Sequence, residues 1–149
     1  MLLLVHHAEA EPPGVDPMRP LSARGRAQAE LMAREAAARG AKPEVIWHSG
    51  KHRARQTADV FWRVCNPFAS ITAVRGLQPT DPPEWTRDML IGEDRQIAVV
   101  GHMPSLPRIL QLLLGAHPDQ SPVSFPLNGA VALEWREDRY IERWRIEPT

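Results

Sequence analysis

The chain of 149 residues has one cysteine, one tyrosine and no net charge, because 18 Lys and Arg are balanced by 18 Asp and Glu. A lone thiol excludes an intrachain disulfide and a cysteine-based zinc cluster. Cys65 sits in the apolar stretch Val60-Phe61-Trp62-Arg63-Val64-Cys65 and reads as a structural thiol rather than a nucleophile. Without a global field, neither a nucleic acid nor a membrane is an expected partner, and any anion site must be local. The first apolar run has no basic leader and is too short for a signal peptide or a membrane span. The cytoplasm is therefore the expected location.

Hydrophobic residues at 43% and charged residues at 24% are ordinary for a soluble globular chain. A chain of this length buries roughly 70% of its unfolded surface and needs no staples, so residues 1–149 are expected to form a single domain.

Strand and helix signals alternate. Residues 2–6 form a continuous apolar run of strand length, followed by the loop Glu11-Pro12-Pro13-Gly14-Val15-Asp16-Pro17. Ser22 is an N-cap for an Ala-rich helix that runs to Arg39 and stops at Gly40. Val45-Ile46-Trp47 is a second buried strand, and Lys51 to Val64 a helix ended by Asn66-Pro67. Ser70 to Val74 has β-branched strand character. A proline-rich segment then leads to a helix over Glu84 to Leu90. Ile97 to Val100 is a fourth strand, and Ser105 to Leu114 a helix with an apolar face. Ala130 to Trp135 and Tyr140 to Ile146 flank a hairpin turn. The pattern predicts an α/β fold, a three-layer α/β/α sandwich around a mostly parallel sheet with a C-terminal antiparallel hairpin edge.

Ligands in such sheets bind beyond the carboxyl ends of the strands. The chemistry-bearing residues fall there: His6 and His7 after the first strand, Ser49 after the second and His102 after the fourth. Two strands that each deliver an imidazole point to paired histidines facing one ligand, and phosphate chemistry is the reading. Ser49-Gly50-Lys51-His52-Arg53-Ala54-Arg55 opens a helix directly after a strand, where backbone N–H groups and an arginine one turn in can hold an anion. Arg53 and Arg55 are two apart and diverge, so both cannot face the crevice. A solvated arginine pair is the alternative on this segment alone.

Four segments carry a resemblance: the first strand with His7 and Glu9; Leu21-Ser22-Ala23-Arg24-Gly25-Arg26-Ala27-Gln28-Ala29; Ser49-x-x-x-Arg53-Ala54-x-Gln56-Thr57; and Val100-Gly101-His102-Met103-Pro104. In this order they resemble the phosphoglycerate mutase-like histidine phosphatase superfamily. The short chain, with Leu77-Gln78-Pro79 and no large insertions, is similar to its SixA-type phosphohistidine phosphatase branch. The resemblance implies a phosphatase that works without a metal or other cofactor on a phosphorylated protein or small phosphorylated substrate. It implies that His7 is the nucleophile and becomes a phosphohistidine, that Arg53 clamps phosphate, and that His102 stabilises the phosphoryl oxygens.

The signature Arg-His-Gly of that family here reads His6-His7-Ala8. His6 is shorter than arginine and lacks its bidentate fork, and Ala8 excludes backbone conformations that only glycine tolerates. Three readings of His6 stand side by side. Bound phosphate protonates it into a weaker phosphate clamp, with activity rising toward mildly acidic pH. Alternatively, the chain is a degenerate phosphoryl-binding or interaction module. In the third reading, Arg19 or Arg55 replaces the missing charge.

Glu9, Asp81 and Glu84 are the candidate general acids, although a phosphoramidate nitrogen leaves without much help. A histidine-ligated metallohydrolase using His6, His7 and His102, with His48 and His52 at i,i+4 spacing, is the remaining alternative. It lacks an HExxH or carboxylate-rich pattern, and neighbouring His6 and His7 on a strand are expected to point to opposite faces. The tryptophans at 47, 62, 135 and 144 are assigned to packing, Trp85 to a loop near the substrate, and His117 to an exposed loop.

Overall fold

A computed structural model describes residues 1–115 and 123–148. His117 lies outside the described residues. The elements follow in the order β1 (Leu2–His6), α1 (Ala23–Ala38), β2 (Val45–His48), α2 (His52–Cys65), β3 (Ser70–Ala73), α3 (Pro83–Leu90), β4 (Ile97–Gly101), α4 (Ser105–Leu113), β5 (Ala130–Arg136) and β6 (Arg139–Ile146). They form one six-stranded sheet of order β3-β2-β4-β1-β5-β6. The first four strands are parallel, while β5 runs antiparallel to both β1 and β6. The α/β sandwich with an antiparallel hairpin edge is therefore the observed fold.

Side-chain alternation along each strand builds the two cores. Leu3 and Val5 of β1, with Ala98 and Val100 of β4, meet Met32, Ala33 and Ala36 of α1 and Ala54, Ala58 and Phe61 of α2. Leu2 and Leu4, with Ile97 and Val99, face the other way onto Leu90 of α3 and Leu106, Ile109, Leu110 and Leu113 of α4. Because β1 and β4 are covered on both faces, all ten of their residues are buried, which explains their unbroken apolar runs. Each fully buried Leu or Val contributes roughly 1.5–3 kcal/mol.

Helix α1 starts where Ser22 accepts a hydrogen bond from the Gly25 N–H at 2.9 Å, as an N-cap should. A Cβ at Gly25 would run into the Glu9 carbonyl, so this glycine lets α1 press against the backbone that follows β1. The β5–β6 turn places Glu137 and Asp138 at φ 53° and 64°, the two-residue left-handed geometry of a tight hairpin. Trp135 departs from its packing assignment. It stands near the hairpin tip, 58% exposed, edge-on to Tyr140.

Candidate active site

The chain passes from β1 to β2 across the position later filled by β4, so β4 lies between them in the sheet. The crevice beyond their carboxyl ends therefore receives His7 from β1, Ser49 from β2 and His102 from β4. The His7 and His102 ring centroids are 5.1 Å apart.

His7 is held by its own neighbour. Its Nδ1 lies 2.7 Å from the Ala8 carbonyl oxygen, which can only accept, so Nδ1 carries the proton and Nε2 keeps its lone pair. The Arg53 Nε–H donates to that Nε2 at 3.3 Å. Burial, with Arg53 and Arg19 nearby, pushes His7 down to about 4 despite the opposing Ala8 bond. Thr57 ties the two elements together, since its Oγ1 accepts from the Ala8 N–H at 3.1 Å and donates to the Arg53 carbonyl at 2.9 Å.

His6 occupies the inner end of β1, only 4% exposed. Its Nδ1 accepts the Asn128 backbone N–H at 2.7 Å, so its proton is on Nε2. Burial first, then His7 and Arg53, push it down to about 3. In the resting protein His6 is thus a neutral donor. The expected divergence of His6 and His7 is corrected. Their ring centroids are 4.4 Å apart, because β1 ends at His6 and strand alternation stops there.

His102 is 2% exposed. Its Nε2 lies 2.6 Å from the Ser49 hydroxyl, and its Nδ1 has no partner. Burial, then His7 and Arg53, push it down to about 3. Ser49 also accepts from the Lys51 N–H at 3.2 Å, and its carbonyl accepts from the Gln78 side chain at 2.8 Å.

Among the described residues, none of the other candidates hydrogen-bonds to His6, His7, His102 or Arg53. Glu9 accepts from the Ser22 hydroxyl at 3.0 Å and faces Arg24. Asp81 accepts the Gln78 N–H at 2.9 Å, closing the turn that delivers Gln78 to Ser49. Glu84 is exposed in the first turn of α3. Arg55 is exposed and lines a separate depression of about 340 Å³ with His48 and Asp59. Arg19 donates to the Glu11 carbonyl at 3.0 Å and lowers both His7 and Arg53, which places it beside the crevice. Ala8 needs no glycine, since it is not among the residues of positive φ.

His48 and His52 do not share a helix, because His48 ends β2 and α2 begins at His52. Among the described residues no three His, Cys, Asp or Glu are grouped to hold a metal ion. Trp85 packs under Arg75 at 4.2 Å.

Sequence reasoning missed Asn128, whose backbone holds His6 and whose side-chain amide donates to the His7 carbonyl at 2.8 Å. The signal was the Asn128-Gly129 pair, since asparagine tolerates the left-handed φ of 54° seen here. The roles of Gln78 and Thr57 were also missed, although both stand in the motif segments.

Two imidazoles and a guanidinium gathered at the strand ends of an α/β sheet define a phosphatase by architecture and family. The chain belongs to the histidine phosphatase superfamily (branch 1), whose family model matches residues 2–90. That span includes His7 and Arg53, and His102 lies beyond it. No curated protein matches the sequence. A structure from Agrobacterium tumefaciens assigned as a phosphohistidine phosphatase SixA is 26% identical over 99% of this chain and 97% of its own, with a TM-score of 0.79. A protein histidine phosphatase SixA complexed with tungstate is 21% identical over 99% and 96%, with a TM-score of 0.83. A phosphoserine phosphatase mutant of Entamoeba histolytica, complexed with phosphoserine, is 15% identical over 97% and 95%, with a TM-score of 0.73. Among the described residues no helix is long and apolar enough to cross a membrane.

Proposed function

We propose that the protein hydrolyses a phosphohistidine, or a small phosphomonoester, through a phosphorylated His7 and without a metal ion. The observation that carries this is the His7 ring, with Nδ1–H anchored on Ala8 and Nε2 directed at Arg53. An imidazole attacks only through an unprotonated nitrogen, and here that nitrogen faces the guanidinium that would hold the phosphoryl group and would give up its hydrogen bond to the imidazole as it does so.

The Nε2 lone pair forms the N–P bond as the bond to the leaving group breaks. Water then attacks phosphorus, releasing phosphate and returning the neutral imidazole. Arg53 neutralises charge on the phosphoryl oxygens as it spreads toward the transition state, with Arg19 adding positive potential at the rim and His6 a neutral Nε2–H.

The leaving group favours a phosphoramidate. Glu9 and Asp81 are hydrogen-bonded elsewhere, and a phosphohistidine nitrogen takes its proton readily from water. Similarity to the SixA structures supports the same substrate class, a phosphohistidine on another protein.

Rapid-quench labelling with ³²P-phosphohistidine tests the proposal. An acid-labile, alkali-stable phosphoenzyme that decays to phosphate, survives EDTA and is absent in His7→Ala is expected. Turnover without a phosphoenzyme, or undiminished in His7→Ala, would overturn it. One observation favours the second reading, a phosphoryl-binding module: His6 brings no fixed charge where the family has an arginine. Vanadate binding without turnover at any pH would establish that reading instead.

A further inference from the structure

The sequence places Ser49 at the head of the segment expected to bind phosphate, yet its hydroxyl is already engaged by two neighbours. The Lys51 N–H can only donate to it, and His102 Nε2 lies at 2.6 Å. A hydroxyl has one hydrogen and two lone pairs, so two arrangements are possible. If Ser49 accepted from an Nε2–H as well, its own hydrogen would lack a partner and His102 Nδ1 would be left as a bare acceptor. That leaves two buried groups unsatisfied. If the Ser49 O–H donates to Nε2, only the Nδ1–H is left. Buried polar groups avoid being orphaned, so the second arrangement prevails.

We infer that Ser49 is a positioning residue, whose hydroxyl fixes His102 as the Nδ1–H tautomer and thereby makes it a donor to the phosphoryl group. The topology gives the direction. β4 lies between β2 and β1, Ser49 follows β2, and His7 follows β1. The two ring nitrogens lie on different edges of the imidazole, so with Nε2 on Ser49 the Nδ1 edge faces away from Ser49, and the His7 ring stands 5.1 Å from the His102 ring between centroids. That Nδ1 is the buried ring nitrogen without a partner, and the partner it lacks is an acceptor. A phosphoryl oxygen beside His7 supplies one.

The loop behind Ser49 supports the same role. Gln78 donates to the Ser49 carbonyl, and Asp81 holds the Gln78 backbone, so the backbone that carries the hydroxyl is fixed at its carbonyl. A residue that only bound phosphate would not need its side chain committed before the ligand arrives. The inference rests on the proposed function for its ligand, although the tautomer itself does not.

The test is ¹⁵N spectroscopy of protein labelled at histidine, with inorganic phosphate and vanadate as probes. His102 is expected to show a protonated Nδ1 and an unprotonated Nε2 at pH 7, with the Nδ1–H signal shifting when either anion binds. In Ser49→Ala the tautomers should mix and kcat should fall about tenfold, as loss of one charge-stabilising hydrogen bond predicts, with KM changing less. Ser49→Thr should recover most of both effects. A His102 protonated on Nε2 in the unaltered protein overturns the inference, as does an Nδ1–H that ignores both anions or a Ser49→Ala protein with unchanged tautomer and kcat. Absence of turnover would count against the proposed function alone, because the spectroscopic result needs none.

Discussion

Asn128 donates its backbone N–H to His6 Nδ1 at 2.7 Å, and that bond converts the chain's departure from its family signature into a built feature. An arginine at position 6 has no atom that can accept from the Asn128 N–H. His6 is therefore matched to the loop that precedes β5, and the loop to His6.

His6→Arg should raise phosphatase activity, because a fixed cation is restored beside the phosphoryl group, and should lower stability, because the half-buried Asn128 N–H loses its acceptor. The first effect is about tenfold or more in kcat/KM if one charged hydrogen bond is gained. The second is about 1–3 kcal/mol. Steady-state kinetics on phosphohistidine with a parallel urea melt separates the two. A His6→Arg protein that is inactive and fully stable would sink the account of this pair.

Buried His6 and His102, with half-buried His7, make stability depend on acid. His6, His7 and His102 stand at about 3, 4 and 3 in the folded protein, below the roughly 6.5 of an unfolded chain. Above that value both states are unprotonated and nothing is lost. Below it the unfolded chain takes up protons that the folded one refuses, so stability falls by up to about 1.4 kcal/mol per pH unit for each histidine. The loss runs from about pH 6.5 down toward pH 4 and then 3. Urea melts across this range check the slope, and a triple replacement by uncharged residues should flatten it.

The same values argue against a cationic His6 in the resting protein. It does not begin to take up a proton near pH 6, so it gives activity no reason to rise there. Activity in the unligated regime is expected to be level through the neutral range and to fall only as His7 loses its lone pair near pH 4. A kcat/KM profile rising steadily from about pH 8 to 5 would restore the cationic His6.

Arg53→Ala should cut kcat/KM by about a hundredfold or more, and Arg53→Lys should recover only part, since a point charge lacks the guanidinium fork. The substitution also removes one of the charges that lower His7, so the acid limb of the profile should move to higher pH in Arg53→Ala. A loss of rate with an unmoved limb would mean that Arg53 acts on the substrate alone.

Much of this arrangement was legible in the sequence because it rests on patterns of short range. The buried strands β1 and β4 announce themselves as unbroken apolar runs, and parallel strands place their carboxyl ends together, so the meeting of His7, Ser49 and His102 followed from topology alone. What sequence did not reveal lies in contacts between distant segments. Asn128 is more than a hundred residues from His6, and its turn signal says nothing about which side chain the turn will meet. The facing of His6 and His7 escapes the strand rule for a local reason. Alternation holds only while a residue is in the strand, and His7 is the first one out. The protonation of His6 was equally out of reach, since burial and a backbone donor decide it and neither is written at position 6.

Gly25→Ala tests how tightly the site is tied to the scaffold. A Cβ there meets the Glu9 carbonyl, backbone that has no rotamer to yield, so either α1 or the segment after His7 must shift. The Ser22 N–H also donates to that carbonyl at 3.0 Å, and its displacement would strain the helix cap. Overpacking of this kind costs about 1–3 kcal/mol. Because Glu9 is two residues from the proposed nucleophile, kcat should drop along with stability, whereas Gly40→Ala, remote from the site and open to solvent, should cost stability through its left-handed φ of 91° and leave kcat alone. Kinetics and urea melts on the two variants give the comparison. Equal kcat values would show that the backbone after His7 absorbs the shift without moving the imidazole.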